Sequence, residues 1–118
     1  PGHSPGCTSW SMDVKDGDAT RSVIFFCSAT VALNQLVGKP THTSIVEDYK
    51  KTFAWAKSQK FDVLLAPHPE MYGAMEKRQK VAAGAPNPFV NPGEFNTYLG
   101  TLEKQFEEGL AKQQAAAK

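Results

Sequence analysis

Histidine is the side chain that most readily ligates a divalent metal at neutral pH, and this sequence places its histidines where an imidazole can be held still. His3 lies in Pro1-Gly2-His3-Ser4-Pro5-Gly6-Cys7-Thr8-Ser9-Trp10, a glycine- and proline-rich loop that runs into a strand-like stretch. His68 lies in Leu64-Leu65-Ala66-Pro67-His68-Pro69, at the exit of another apolar stretch. The flanking prolines fix φ and remove backbone donors, so the direction of this imidazole is held at little further entropy cost. Imidazoles on stiff loops at strand ends suit a metal site in a sheet-based enzyme. A catalytic zinc normally takes about three protein ligands and keeps one position open. His3 and His68 therefore read as half of an active site.

Other polar residues are candidates of a different kind. Ser28 and Thr30 follow Cys27 and, in a paired hairpin, emerge beside Gly6 and so near His3. Ser and Thr in loops also serve simply to satisfy backbone groups, and no Ser/His/Asp pattern accompanies them. Covalent catalysis is the weaker reading. His42, between Thr41 and Thr43, reads as a surface-loop residue ahead of a helix, and Glu70 as the exposed start of a turn.

The elements that must position these groups follow from periodicity. Trp10, Met12 and Val14 alternate with Ser9, Ser11 and Asp13, which predicts a half-buried strand over 8–14. Turn residues surround Gly17, and Val23-Ile24-Phe25-Phe26 is an apolar return strand. A hairpin centred on Gly17 sets Cys7 opposite Cys27, at a separation a disulfide can span. Ser44-Ile45-Val46-Glu47 has the form of a capping box, followed by a helix burying Ile45, Tyr49, Thr52, Phe53 and Ala56. A short buried strand over 61–65 and a helix over 74–83 ending at Gly84 come next. Asn91 caps a last helix whose stripe is Phe95, Leu99, Leu102, Phe106 and Leu110, with a tail from Gln113 to Lys118 that should fray. Trp10, Phe25, Phe26 and Trp55 are expected in the core.

At 118 residues, the chain is at most one domain, and 41% hydrophobic residues fit a globular core. Thirteen Lys and Arg against 12 Asp and Glu give no field that would favour nucleic acid or an anionic membrane. No apolar run approaches the ~20 residues that span a bilayer. Cys7 and Cys27 allow one disulfide, which implies an oxidising compartment, and no CxxC spacing supports a zinc pair.

Together, Gly2-His3-Ser4-Pro5-Gly6-Cys7-Thr8-Ser9-Trp10, Phe25-Phe26-Cys27-Ser28 and Asp62-Val63-Leu64-Leu65-Ala66-Pro67-His68-Pro69 resemble the C-terminal part of a subclass B3 metallo-β-lactamase. The likeness continues through Glu47-Asp48-Tyr49-Lys50-Lys51-Thr52-Phe53 and Gly84-Ala85-Pro86-Asn87-Pro88-Phe89 and covers essentially the whole chain. The resemblance implies an α/β (α+β) chain forming the C-terminal half of a four-layered αββα sandwich over residues 1–118. It implies two zinc ions, one bound by His3 and the other by His68, with a zinc-activated water rather than a side chain as nucleophile. Ser28 and Thr30 match hydroxyl positions that contact the substrate, and Cys7 and Cys27 resemble a disulfide pair of some members. The family's His-x-His-x-Asp-His motif is absent, so an N-terminal half carrying it is the expected partner. The implied activity is zinc-dependent β-lactam hydrolysis in the periplasm or after secretion, with no activity expected of this chain alone. Hydrolysis of a lactone or thioester, or the role of a non-catalytic complementing fragment, are the alternatives.

Overall fold

The computed structural model describes residues 1–117. The chain divides into two compact units, one built from Pro1–Thr8, Ser28–Gln59 and the stretch from Asn96, the other from Ser9–Cys27 and Lys60–Phe95. The element order is β1 (Trp10–Asp16), β2 (Ala19–Phe25), α1 (Ile45–Lys57), β3 (Val63–Leu65), α2 (Ala74–Ala82) and α3 (Glu94–Ala116), with a single 3-10 turn at Pro69–Met71. The order matches the sequence reading, and the class is α+β with a mixed sheet.

The second unit holds that sheet. β1 pairs antiparallel with β2, and β2 pairs parallel with β3. Trp10 faces Phe25 and Asp16 faces Ala19, so a two-residue turn at Gly17 and Asp18 replaces the symmetric turn expected at Gly17. The register is thus displaced by one residue, and neither cysteine lies within the ladder. Both cysteines are nevertheless disulfide-bonded, and the chain has no others. Side chains alternate across a sheet. Ile24 and Leu64 therefore share a buried face, and Phe26, Phe61 and Phe95 form a buried edge-on aromatic cluster. Asp62 ties β2 to the start of β3: its carboxylate accepts from the Ser22 amide at 2.9 Å and the Ser22 hydroxyl at 3.2 Å. The opposite face carries Trp10, Met12, Val14, Val23, Phe25, Val63 and Leu65. Much of it is open. Trp10 is 69% and Phe25 45% exposed, which corrects their expected place in the core. β1 is an edge strand, and every residue in it is exposed. Lys77 of α2 is buried, pairs with the Glu94 carboxylate and lies over the Tyr72 and Phe89 rings.

In the first unit, α1 packs through Ile45, Tyr49, Phe53 and Ala56; Tyr49 stacks with Phe53 and with Phe106 of α3, and Phe53 meets Phe106 at a tilt. Leu99, Leu102 and Phe106 are buried as the stripe predicts. Trp55, expected in the core, points outward instead and is exposed. The capping box is also absent. Ser44 has φ 65°, outside the extended conformation a capping side chain needs, and makes no cap bond. The expected frayed tail is helical to Ala116, because the Gln113 side chain accepts from the Leu36 amide at 2.7 Å and donates to the Asn34 carbonyl at 3.1 Å. Lys118, part of that tail, lies outside the described residues.

Candidate metal centre

The loop that carries His3 is pinned carbonyl by carbonyl. Thr52 donates to the Pro1 carbonyl at 2.6 Å, His42 Nε2 to that of Gly2 at 3.0 Å, and Asn34 to that of His3 at 2.9 Å. The Ser4 carbonyl then accepts from the Gly2 and Cys7 amides. Gly2 is required here. It is buried with φ 138°, and a Cβ in its place would sit 2.9 Å from Tyr49 ring atoms.

A carbonyl can only accept, which fixes the protons of the site. His3 Nδ1 lies 2.7 Å from the Thr30 carbonyl, so Nδ1 carries the proton and the neutral ring keeps its lone pair on Nε2. Anchoring one ring nitrogen on a backbone carbonyl is how metal-ligating histidines are oriented. The Thr30 hydroxyl, 3.2 Å from the same Nδ1, faces that N–H as an acceptor. Its own proton then points to Ser28 Oγ at 3.1 Å, which also accepts from the Thr30 amide at 3.3 Å. The Ser28 hydroxyl is left with a proton to give outward. Both side chains are half-buried, so that proton is within reach of a ligand.

His3, Ser28 and Thr30 thus come together in the first unit. His68 lies in the second, exposed, at the entry to the 3-10 turn, with its ring making no hydrogen bond among the described residues. His42 is not the surface residue expected. Its nitrogens face the Gly2 and Thr43 carbonyls, so its ring braces the His3 loop and has no lone pair directed at a metal. Glu70 is exposed in the 3-10 turn. No cluster of three or more His, Cys, Asp or Glu side chains suited to a metal exists among the described residues. His3 fits zinc as one ligand of a set, on the chemistry of its donor atom and its anchored partner nitrogen.

No established family profile matches the chain. The solved structures do. Over its whole length the chain is 61% identical to BJP-1, a subclass B3 metallo-β-lactamase of Bradyrhizobium japonicum, with a TM-score of 0.95. The protein it resembles along its full length is a metallo-β-lactamase. The chain also matches the native metallo-β-lactamase FEZ-1 of Legionella gormanii over 97% of its length, at 32% identity and a TM-score of 0.91. A metallo-β-lactamase of Cronobacter sakazakii matches over 98%, at 33% identity and a TM-score of 0.88. The chain spans only 45%, 44% and 43% of those metallo-β-lactamase chains, respectively. Sequence reasoning missed Asn34, Tyr49, Thr52 and Gln113 as supports of this centre. Tyr49 and Thr52 stood in the helical stripe and in the Glu47–Phe53 resemblance, but as core and family residues with no role at a site.

Proposed function

We propose that this chain is the C-terminal half of a zinc-dependent β-lactam hydrolase and contributes one histidine to each of two zinc sites. The observation that carries the reading is His3: its Nδ1 is spent on the Thr30 carbonyl, its Nε2 is bare, and two hydroxyls stand beside it. The 61% identity to a subclass B3 metallo-β-lactamase supports the same reaction class. When bound, zinc supplies a nucleophilic water at neutral pH and a Lewis acid for the amide carbonyl.

The chain's own residues hold and orient. His3 serves one ion and His68 the other. The Ser28 hydroxyl donates to the substrate carboxylate, and Thr30 keeps that hydroxyl turned outward. Such positioning lowers the entropic part of the barrier. The remaining ligands come from an N-terminal half bearing His-x-His-x-Asp-His. That half also covers the open apolar face of Trp10, Met12, Val14 and Phe25, since an exposed patch of this kind marks an interaction surface. The disulfide fits a periplasmic or secreted enzyme. No helix among the described residues is long and apolar enough to cross a membrane.

The test is reconstitution. Mixing the chain with the ligand-bearing half and zinc should restore cooperative melting and carbapenem hydrolysis together. Turnover of a thioester or lactone in place of the carbapenem would move the enzyme elsewhere in the superfamily. Zinc-dependent carbapenem turnover by residues 1–118 alone would overturn the half-site reading.

A further inference from the structure

Two side chains outside the ligand and hydroxyl set control both ends of the His3 geometry. Asn34 donates one amide N–H to the His3 carbonyl at 2.9 Å, which holds the backbone carrying the imidazole. Tyr49 donates its hydroxyl to the Thr30 carbonyl at 2.7 Å, the same oxygen that accepts from His3 Nδ1. These two controllers are bonded to each other, because the second Asn34 N–H donates to the Tyr49 hydroxyl at 3.2 Å. Every donor of the pair is used.

We propose that Asn34 and Tyr49 act as one positioning pair that sets the direction of the His3 imidazole toward its metal ion. The inference rests on the reading of His3 as a zinc ligand. The pair is itself rigidly mounted. The Tyr49 ring is fully buried, stacks on Phe106 with centroids 4.9 Å apart, and backs onto Gly2. Asn34 is tied to α3, 79 residues further along the chain, where Gln113 donates to its carbonyl. Burial holds the Tyr49 phenol protonated well into the alkaline range, so it stays a donor at any working pH. Without its hydroxyl the Thr30 carbonyl can rotate, and the ring anchored on it follows. Without the Asn34 amide the His3 backbone loses its register to that carbonyl. Either change alters ligand direction while touching neither the metal nor the substrate.

The experiment uses the complete enzyme, with Tyr49→Phe, Asn34→Ala, the double variant and His3→Ala compared with the parent. Zinc affinity is read by chelator competition, and the cobalt(II)-substituted forms are read by visible absorption. Partners of a metal ligand typically carry 10–100-fold in metal affinity, so each single variant should weaken the His3 ion by about that factor and shift its cobalt bands. The double variant should lose little more than the worse single one, as residues acting as a unit do. Parent-like affinity and spectrum in the single variants, with the ion lost in His3→Ala, would overturn the pair and leave the functional reading standing. Retention of both ions in His3→Ala would overturn the ligand reading and the pair with it. Tyr49→Phe keeps the packed ring, so it decides the matter alone if Asn34→Ala fails to fold.

Discussion

Ser28 and Thr30 differ in what their hydroxyls have left to give. The Thr30 hydroxyl is turned inward, between His3 Nδ1 and Ser28 Oγ, while Ser28 retains a proton for a ligand. Ser28→Ala should therefore raise the Michaelis constant for a β-lactam by about tenfold or more, the worth of ~1.5–3 kcal/mol for a bond to a charged group. Zinc content and kcat should hold. Thr30→Val should cost less in steady-state assays, because its carbonyl still anchors the ring; a larger loss for Thr30→Val would reverse the direction of the chain of hydroxyls. Tyr49 supplies a second measurable at this scale. Burial raises its pKa above the ordinary 10.0, against a smaller lowering by the Asn34 bond. A folded-state value above the unfolded one stabilises fully below pH ~10 and is lost as pH climbs through the folded value. Urea midpoints should fall as the pH rises above about 10, and less steeply in Tyr49→Phe. Tyr98, raised likewise by burial, keeps part of the slope. His3, Ser28 and Thr30 were legible in the sequence because their neighbours form recognisable short strings. Asn34 and Tyr49 were not, since their bonds join residues 15 to 31 positions apart and leave no local signature.

Among the elements, legibility followed the kind of force involved. The stripes of α1 and α3 are hydrophobic periodicity, and burial enforces them: Tyr49, Phe53, Leu99, Leu102 and Phe106 lie where the pattern puts them. Hydrogen-bonded ends were harder to read. The Ser44 box failed because the backbone there is left-handed, and the Gln113 turn was misjudged because its partners are far away in sequence. The hairpin erred by a single residue, since a turn's centre falls on a residue or between two, and composition around Gly17 suits either. Gln113→Ala should remove both side-chain bonds and cost about 1 kcal/mol, with faster amide exchange at Leu36 and through the last turn of α3. Unchanged exchange at Leu36 would show that the turn stands without this brace.

At the scale of the molecule, a satisfied interior contrasts with an open apolar face on the sheet. No buried side-chain nitrogen or oxygen among the described residues lacks a hydrogen-bond partner, whereas Trp10, Met12, Val14 and Phe25 face outward on one side of the sheet. Such an edge invites self-association. Met12→Lys with Val14→Glu should keep the isolated chain dispersed in light scattering and lower its binding of a hydrophobic dye. The same pair should abolish complementation by the N-terminal half; full complementation would show that this face is not where the half docks. The sequence hid this openness because alternation marks a face as apolar without saying whether anything covers it. The Gln113 brace also carries a consequence for biosynthesis. In synthesis the His3 loop precedes helix α3, and Asn34 must wait for a partner 79 residues downstream. Local pairing of β1 with β2 takes about 1–10 μs and is complete well before then. The His3 loop is therefore made before the helix that braces it through Asn34, and that brace is complete only once α3 has docked.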